Sequence, residues 1–255
     1  MNLARVRVLA LNDLRLVLRD RMLAVLLLAA FGMGLGGRHA LPAIDASLAA
    51  SGVMPASPGG MRFAETYPLF VAFIAFWQAA LMPGTVFGFL LLDEKEDDTL
   101  TAMRVTPVPL STYLVYRAGI PTAFAFLFSL ALVPLIGLGP LPWWQHLPLA
   151  FSAALVAPIV ALMLAMFAAD KVQGLALTKF GGVAGLLILV GFFVPLPYQW
   201  ALGLFPPFLT ARAYWWAQAG HPHWWAPCVV AILVQLAILR VVVRRFRRVA
   251  FNDAA

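Results

Sequence analysis

The sequence predicts an all-α integral membrane protein with six transmembrane helices. Only 11% of its 255 residues are charged, less than half the share that a soluble domain carries, and 63% are hydrophobic. The long apolar runs are each close to the ~20 residues that a helix needs to cross the hydrocarbon core. The alternating ten-residue segments of membrane β-strands are absent from the sequence. We therefore treat the chain as one transmembrane domain over residues 1–255.

Hydropathy places the six spans at roughly 22–37, 67–92, 112–137, 147–168, 178–195 and 225–243. An even number of spans puts both termini on one side of the membrane. That side holds fifteen of the eighteen Lys and Arg residues, and only Arg38, Arg62 and Arg212 fall opposite. The positive-inside rule then predicts cytoplasmic termini, and we expect a bacterial inner membrane.

Residues 1–21, before the first span, are predicted to form an amphipathic helix on the cytoplasmic membrane surface. A plain basic flank to the first span is the alternative. On a helical wheel the apolar face comprises Leu3, Val6, Ala10, Leu14 and Val17, and the polar face Arg5, Asn12, Asp13, Arg15 and Arg19.

Two outer segments differ in character. Residues 38–66 are rich in Gly, Pro, Ala and Ser and are predicted to be a loop. Residues 196–224 are too apolar for a free loop and too rich in proline for another crossing. We expect this second segment to form two short helices that meet at Pro206–Pro207 and dip into the outer leaflet as a re-entrant element.

The spans carry little that could perform catalysis or conduct ions. Charged residues fall at the predicted ends, which argues against an ion-driven transporter and against an intramembrane hydrolase. Cys228 is the single cysteine, and no histidine has a carboxylate at a metal-binding spacing. The segment "GLALTKF" lacks the second glycine of a phosphate-binding loop. We expect no catalytic residue, metal or cofactor in this chain, so energy for transport would come from a partner.

The cytoplasmic loop at 93–110 concentrates acidic residues. Five of the chain's eleven acids lie within "LDEKEDD" at 92–98, followed by "TLTAMRV", which can form two helical turns. Asp98 or Thr99 can cap that helix, and Thr106–Pro107 should end it. Leu100 and Met103 would share one helical face, and little membrane lies close enough for that face to pack against. Such an apolar face is typical of a helix that enters a groove on another protein. A solvated acidic loop is the alternative.

The stretch "DEKEDDTLTAMRVTPVPLSTYLVYR" resembles the corresponding loop of ABC-2 type transporter permeases. The six spans, the surface helix and the broken outer segment extend the resemblance over nearly the whole chain. Asp98 departs from the family pattern, which often has Gly at that position. The resemblance implies that a coupling helix at about 98–105 rests on a separate ATP-binding subunit. The implied coupling residues are Glu94, Glu96, Asp98, Thr99, Leu100, Met103, Thr106 and Pro107.

The resemblance further implies that two permease copies, most simply a homodimer, assemble with two ATPases that bind ATP and Mg. The family's dimer interface involves the first and fifth spans, where Gly32 with Gly36 and Gly181 with Gly185 have the four-residue spacing of closely packed helices. Gly84 with Gly88 has the same spacing, so close packing within one subunit is an alternative.

The sequence of the loop is also similar to that of the fluoroquinolone and drug export branch of these permeases. A lipophilic substrate would need an apolar path, and Phe73, Phe76, Trp77 and Phe87 in the second span are the candidates. Lipid-facing packing is the alternative for each. Export of a lipid, glycan or haem, and a membrane enzyme or scaffold without an ATPase, are the other readings.

Overall fold

The computed structural model describes residues 13–52, 62–97 and 110–252. Across these ranges the chain is helical and contains no strand, and six of its helices are long and apolar enough to cross a membrane. The predictions of an all-α fold and of six spans are confirmed. The spans are span 1 (Arg21–Ser51), span 2 (Phe63–Glu96), span 3 (Leu110–Ile136), span 4 (Trp143–Phe167), span 5 (Lys171–Gly191) and span 6 (Trp225–Asn252).

Span 1 is longer than its apolar run. Asp20 caps its start by accepting hydrogen bonds from the backbone amides of Met22 and Leu23, at 2.9 and 3.3 Å. The helix then continues to Ser51 and ends at Gly52, which adopts a left-handed conformation with φ 65°. The prediction of a loop is therefore wrong for residues 38–51. Pro42 removes one helical hydrogen bond there without ending the helix.

Span 2 is the central helix of the bundle. Within its most apolar window 83% of the residues are buried, compared with 22% for spans 1 and 5. Gly84 and Gly88 let span 4 approach closely: a Cβ at Gly84 would lie 2.8 Å from the carbonyl oxygen of Ala157, and one at Gly88 would lie 3.2 Å from the Cα of Ala161. The spacing of this glycine pair therefore serves packing within the chain.

Two spans depart from regular α-helix. Residues Phe73–Gln78 of span 2 form a π-helical turn, after which the amide of Ala79 donates to the carbonyl of Ile74, five residues earlier. Span 4 consists of two helices, Trp143–Ala154 and Val156–Phe167. Pro158 has no amide to donate to the carbonyl of Ala154, which accounts for the break at Leu155.

The outer segment between spans 5 and 6 folds as a 3-10 helix, Tyr198–Leu204, and an α-helix, Pro206–Gln218, which we call the outer helix. Its start at the proline pair agrees with the sequence expectation, because proline is tolerated in the first helical turn. Ser152 of span 4 hydrogen-bonds Thr210 at 2.7 Å, and the Tyr214 hydroxyl donates to the carbonyl of Gly139 at 3.0 Å. The outer helix is thus fixed to the bundle.

Candidate functional site

A buried ionic network lies where spans 2 and 3 flank the acidic loop. The Nη1 atom of Arg117 is 2.8 Å from Oδ2 of Asp13, and its Nη2 pairs with the carboxylate of Glu94. The side chains of Arg117 and Asp13 are only 7% and 8% exposed, and that of Glu94 is 20% exposed. Two carboxylates thus share one cation whose side chain is largely buried. Such buried charges are tolerated only while they are paired.

Two tyrosines complete the hydrogen bonding of this network. The Tyr116 hydroxyl donates to Oδ2 of Asp13 at 2.6 Å, and the Tyr113 hydroxyl donates to Oε2 of Glu94 at 2.7 Å. Both rings also lie within cation–π distance of Arg117, whose Cζ is 5.4 Å from the ring centroid of Tyr116 and 5.6 Å from that of Tyr113. Each carboxylate therefore receives one charged and one neutral donor. We call Asp13, Glu94, Tyr113, Tyr116 and Arg117 the loop-base network.

Helix periodicity brings these groups together. Tyr113, Tyr116 and Arg117 are three and four residues apart in span 3, so they share the face that turns toward span 2. Glu94 lies in the last turn of span 2 and reaches the same face. Asp13 comes from the helix at 13–19 that precedes span 1. Three separate segments are therefore joined at one point, directly beside both roots of the loop that contains residues 98–109.

A second ion pair lies beside the loop-base network. Lys171, at the start of span 5, is 2.8 Å from Asp93 and 3.8 Å from Asp20. A cleft of about 660 Å³ opens between these groups and the loop-base network. Six carboxylates line it, and they belong to Asp13, Asp20, Asp93, Glu94, Glu96 and Asp97. Arg19 and Arg117 also line the cleft, so its lining at the predicted cytoplasmic ends of the spans has more negative than positive charges.

The predicted coupling residues divide into two groups. Glu94 points into the loop-base network, whereas Glu96 is exposed at the end of span 2. The other six lie outside the residues that the structure describes, and they are Asp98, Thr99, Leu100, Met103, Thr106 and Pro107. Their role as a docking surface remains a prediction.

The four residues proposed for a substrate path have different surroundings. Phe76 is 3% exposed and packs against Tyr214, with ring centroids 5.2 Å apart. Phe87 is also 3% exposed and packs against Phe124 of span 3 at 5.2 Å. Phe73 and Trp77 instead adjoin Gly185 of span 5. Lipid-facing packing does not describe Phe76, Trp77 or Phe87, because all three are buried within the chain.

The two glycine pairs proposed for a dimer interface also differ. A side chain at Gly32 or Gly36 would meet nothing within 4 Å, so this face of span 1 is open. Gly185 is buried against Trp77, and a Cβ at Gly181 would lie 3.0 Å from Leu81 of span 2. Packing within one chain accounts for this second pair, and Gly32 with Gly36 remains the predicted interface.

Sequence reasoning missed the loop-base network. It placed Asp13 on the polar face of a surface helix, and that placement is wrong because Asp13 is buried together with Val17, one turn later. Arg117 was counted only as a cytoplasmic charge. The sequence feature that could have revealed the network is the cluster of Tyr113, Tyr116 and Arg117, which lie at helical spacing near the start of an otherwise apolar span.

The comparison with known proteins agrees with this architecture. A family model described as "Fluoroquinolones export permease protein Rv2686c-like" matches residues 13–243. Two relatives from Mycobacterium tuberculosis, from strain CDC 1551 / Oshkosh and strain ATCC 25618 / H37Rv, are named fluoroquinolones export permease protein MT2760 and Rv2686c. Each is 32% identical over 239 residues, which cover 92% of this chain and 91% of the relative. No solved structure matches the chain.

The matched region begins at Asp13 and includes spans 1 to 5, span 6 as far as Val243 and the whole loop-base network. It covers well over half of the chain. The resemblance to drug export permeases that the acidic loop indicated is therefore confirmed at the level of the family. This multi-pass membrane protein belongs to the Rv2686c-like family of fluoroquinolone export permeases.

Proposed function

We propose that the chain is the membrane subunit of an ATP-driven ABC exporter and that it exports fluoroquinolones or similar lipophilic drugs. Two permease copies would work with two separate ATP-binding subunits, which would hold ATP and Mg. The names of the relatives support the substrate class. The observation that carries the mechanism is the buried loop-base network, which joins both roots of the acidic loop to the helix before span 1.

The network gives the acidic loop a rigid base. Arg117, in the second turn of span 3, pairs with Glu94 in the last turn of span 2, so the two spans that flank the loop are tied to each other. Asp13 extends the joint to the segment before span 1. A partner that pulls on residues 98–109 would therefore move spans 1, 2 and 3 together, because packed helices move as rigid units. In this account the permease transmits motion and the ATPase supplies energy.

The distribution of charge supports cytoplasmic placement of this joint. The side that carries the acidic loop also carries the basic stretch Arg244, Arg245, Arg247 and Arg248 at the end of span 6. Positive charge is retained on the cytoplasmic side of inner-membrane proteins. An ATPase in the cytoplasm would thus have access to the acidic cleft and to residues 98–109.

Drug accumulation in cells tests the proposal. Cells that lack the gene and are complemented with the native chain should retain less ciprofloxacin than uncomplemented cells. A Leu100→Asp, Met103→Asp double variant, produced at the same level, should fail to lower accumulation. A Thr101→Asp, Ala102→Asp double variant carries the same added charge on a different face of the predicted coupling helix and should export normally. Equal export by both double variants would contradict docking through Leu100 and Met103.

A further inference from the structure

An apolar cavity of about 450 Å³ lies between spans 4, 5 and 6 beside span 2. Its walls include Leu81, Val160, Met163 and Ala184, and its outer end is formed by Phe205 and the proline pair that starts the outer helix. The cavity opens at the surface of the helix bundle, because Met163 is 43% exposed and Phe180, also on its wall, is 72% exposed. Its volume falls within the range of small-molecule sites.

Three polar side chains line this apolar wall, those of Trp77, Thr178 and Gln235. The Thr178 hydroxyl donates to the carbonyl of Gly174, whereas the other two lack partners within the described residues. Gln235 of span 6 is 1% exposed, and neither its amide oxygen nor its amide nitrogen forms a hydrogen bond within the described part of the chain. The indole nitrogen of Trp77 in span 2 is likewise buried without an acceptor there. Buried polar groups are nearly always hydrogen-bonded in folded proteins. Unpaired groups beside this cavity therefore point to an occupant that supplies their partners.

We propose that this cavity binds the exported molecule, as an uncharged planar aromatic compound that enters from the lipid bilayer. The inference rests on the proposed drug export function and adds a site within a single chain. The cavity wall carries no charged residue, so a charged group would be poorly solvated there. The uncharged form of a fluoroquinolone suits it, because its ring system is apolar and its keto and carboxyl groups lie side by side.

The unpaired polar groups of Trp77 and Gln235 indicate which hydrogen-bonding groups the ligand must carry. Trp77 can only donate a hydrogen bond, whereas Gln235 can donate two and accept two. A ligand rich in carbonyl acceptors would satisfy the indole and the amide N–H groups, and a carboxyl or hydroxyl hydrogen would satisfy the amide oxygen. A lipid acyl chain would fill the volume but would leave all three polar atoms unpaired. The observations therefore favour the drug over a lipid tail as the occupant.

Adjacent glycines on span 5 provide a matched test of the cavity. Gly181 lies on the cavity wall, whereas a side chain at Gly182 would enter open space. Binding of ciprofloxacin to the purified full-length chain in lipid nanodiscs would be measured by fluorescence anisotropy. Gly181→Phe should weaken binding at least about tenfold because it fills the cavity, whereas Gly182→Phe should change it less than about twofold. Equal binding by both variants would overturn the proposal.

Substitution of Gln235 separates recognition from structure. Gln235→Leu should weaken ciprofloxacin binding roughly tenfold, because hydrogen bonds to the ligand are lost. Its melting temperature without drug should equal or exceed that of the native chain, because an unpaired buried amide is removed. A lower melting temperature with unchanged binding would show that Gln235 has only a structural role, and the proposal would be wrong.

The efflux assay distinguishes failure of this site from failure of the proposed function. In one outcome, cells with the native chain export ciprofloxacin, and the Gly181→Phe and Gln235→Leu variants also bind and export it normally. That outcome would overturn the cavity assignment but not the proposed drug export. Displacement of bound phospholipid by Gly181→Phe, with ciprofloxacin binding unchanged, would identify a lipid site and also overturn it. Absence of both efflux and binding in the native chain would refute the proposed drug substrate, and the cavity assignment would fall with it.

Discussion

Replacement of Arg117 by methionine is the sharpest test of the loop-base network. The change keeps an apolar stem of similar length and removes the cation that Asp13 and Glu94 share, while leaving the Asp13 carboxylate buried and that of Glu94 partly buried. Each would keep a tyrosine hydroxyl as its remaining donor. Removing one partner of a buried ion pair costs about 3–5 kcal/mol. For a chain of this size the corresponding fall in melting temperature is roughly 6–20 °C.

Thermal unfolding of the purified protein in detergent would measure this effect. Arg15→Met is the matched control, since Arg15 is exposed on the same short helix as Asp13, and it should change stability by less than about 0.5 kcal/mol. Removing all three charges together, with Asp13→Asn, Glu94→Gln and Arg117→Met, should recover much of the loss because no unpaired charge remains. A melting temperature for Arg117→Met that matches the control, or a triple variant less stable than the single one, would refute this reasoning.

Three further outcomes follow from the fold. Gly88→Leu should lower the free energy of unfolding by about 1–3 kcal/mol, because its side chain would collide with span 4, whereas Gly182→Leu, whose side chain would enter open space, should not; equal effects in thermal unfolding would contradict the packing. Thr210→Val should cost about 1–3 kcal/mol by leaving the buried hydroxyl of Ser152 unpaired, and an unchanged melting temperature would show that this bond contributes nothing. In a Cys228→Ser background, a membrane-impermeant maleimide added outside intact cells should label Ala56→Cys and spare Asp97→Cys, and the reverse pattern would invert the proposed topology.

The number of spans could be predicted from sequence because each apolar run approaches the thickness of the hydrocarbon core. The position of the outer end of span 1 could not be predicted from sequence. Residues 38–51 contain Arg38, His39 and Pro42, a composition typical of a loop. In the structure these residues stay helical, and Arg38 donates to the carbonyl of Leu135 on span 3 at 2.9 Å. That tertiary contact is not visible in local composition.

The acidic loop was recognisable because its residue types and spacing are local. The network that supports it was not, because Asp13 and Arg117 are 104 residues apart and pair only through the fold. The glycine pairs show the same limit. Equal spacing at Gly181 and Gly185 and at Gly84 and Gly88 predicts close helix packing, but only the structure shows that span 2 faces the former and span 4 the latter.

Co-purification with an ATPase is the most direct test of the account. The chain would be solubilised from its own cells, and the soluble ATPases that remain bound would be identified. The account predicts that an ATP-binding subunit follows the native chain and the Thr101→Asp, Ala102→Asp control, and that the Leu100→Asp, Met103→Asp variant loses it. If no ATPase accompanies the folded native chain, or if the Leu100 and Met103 variant keeps it, the acidic loop is not the coupling element that this account requires.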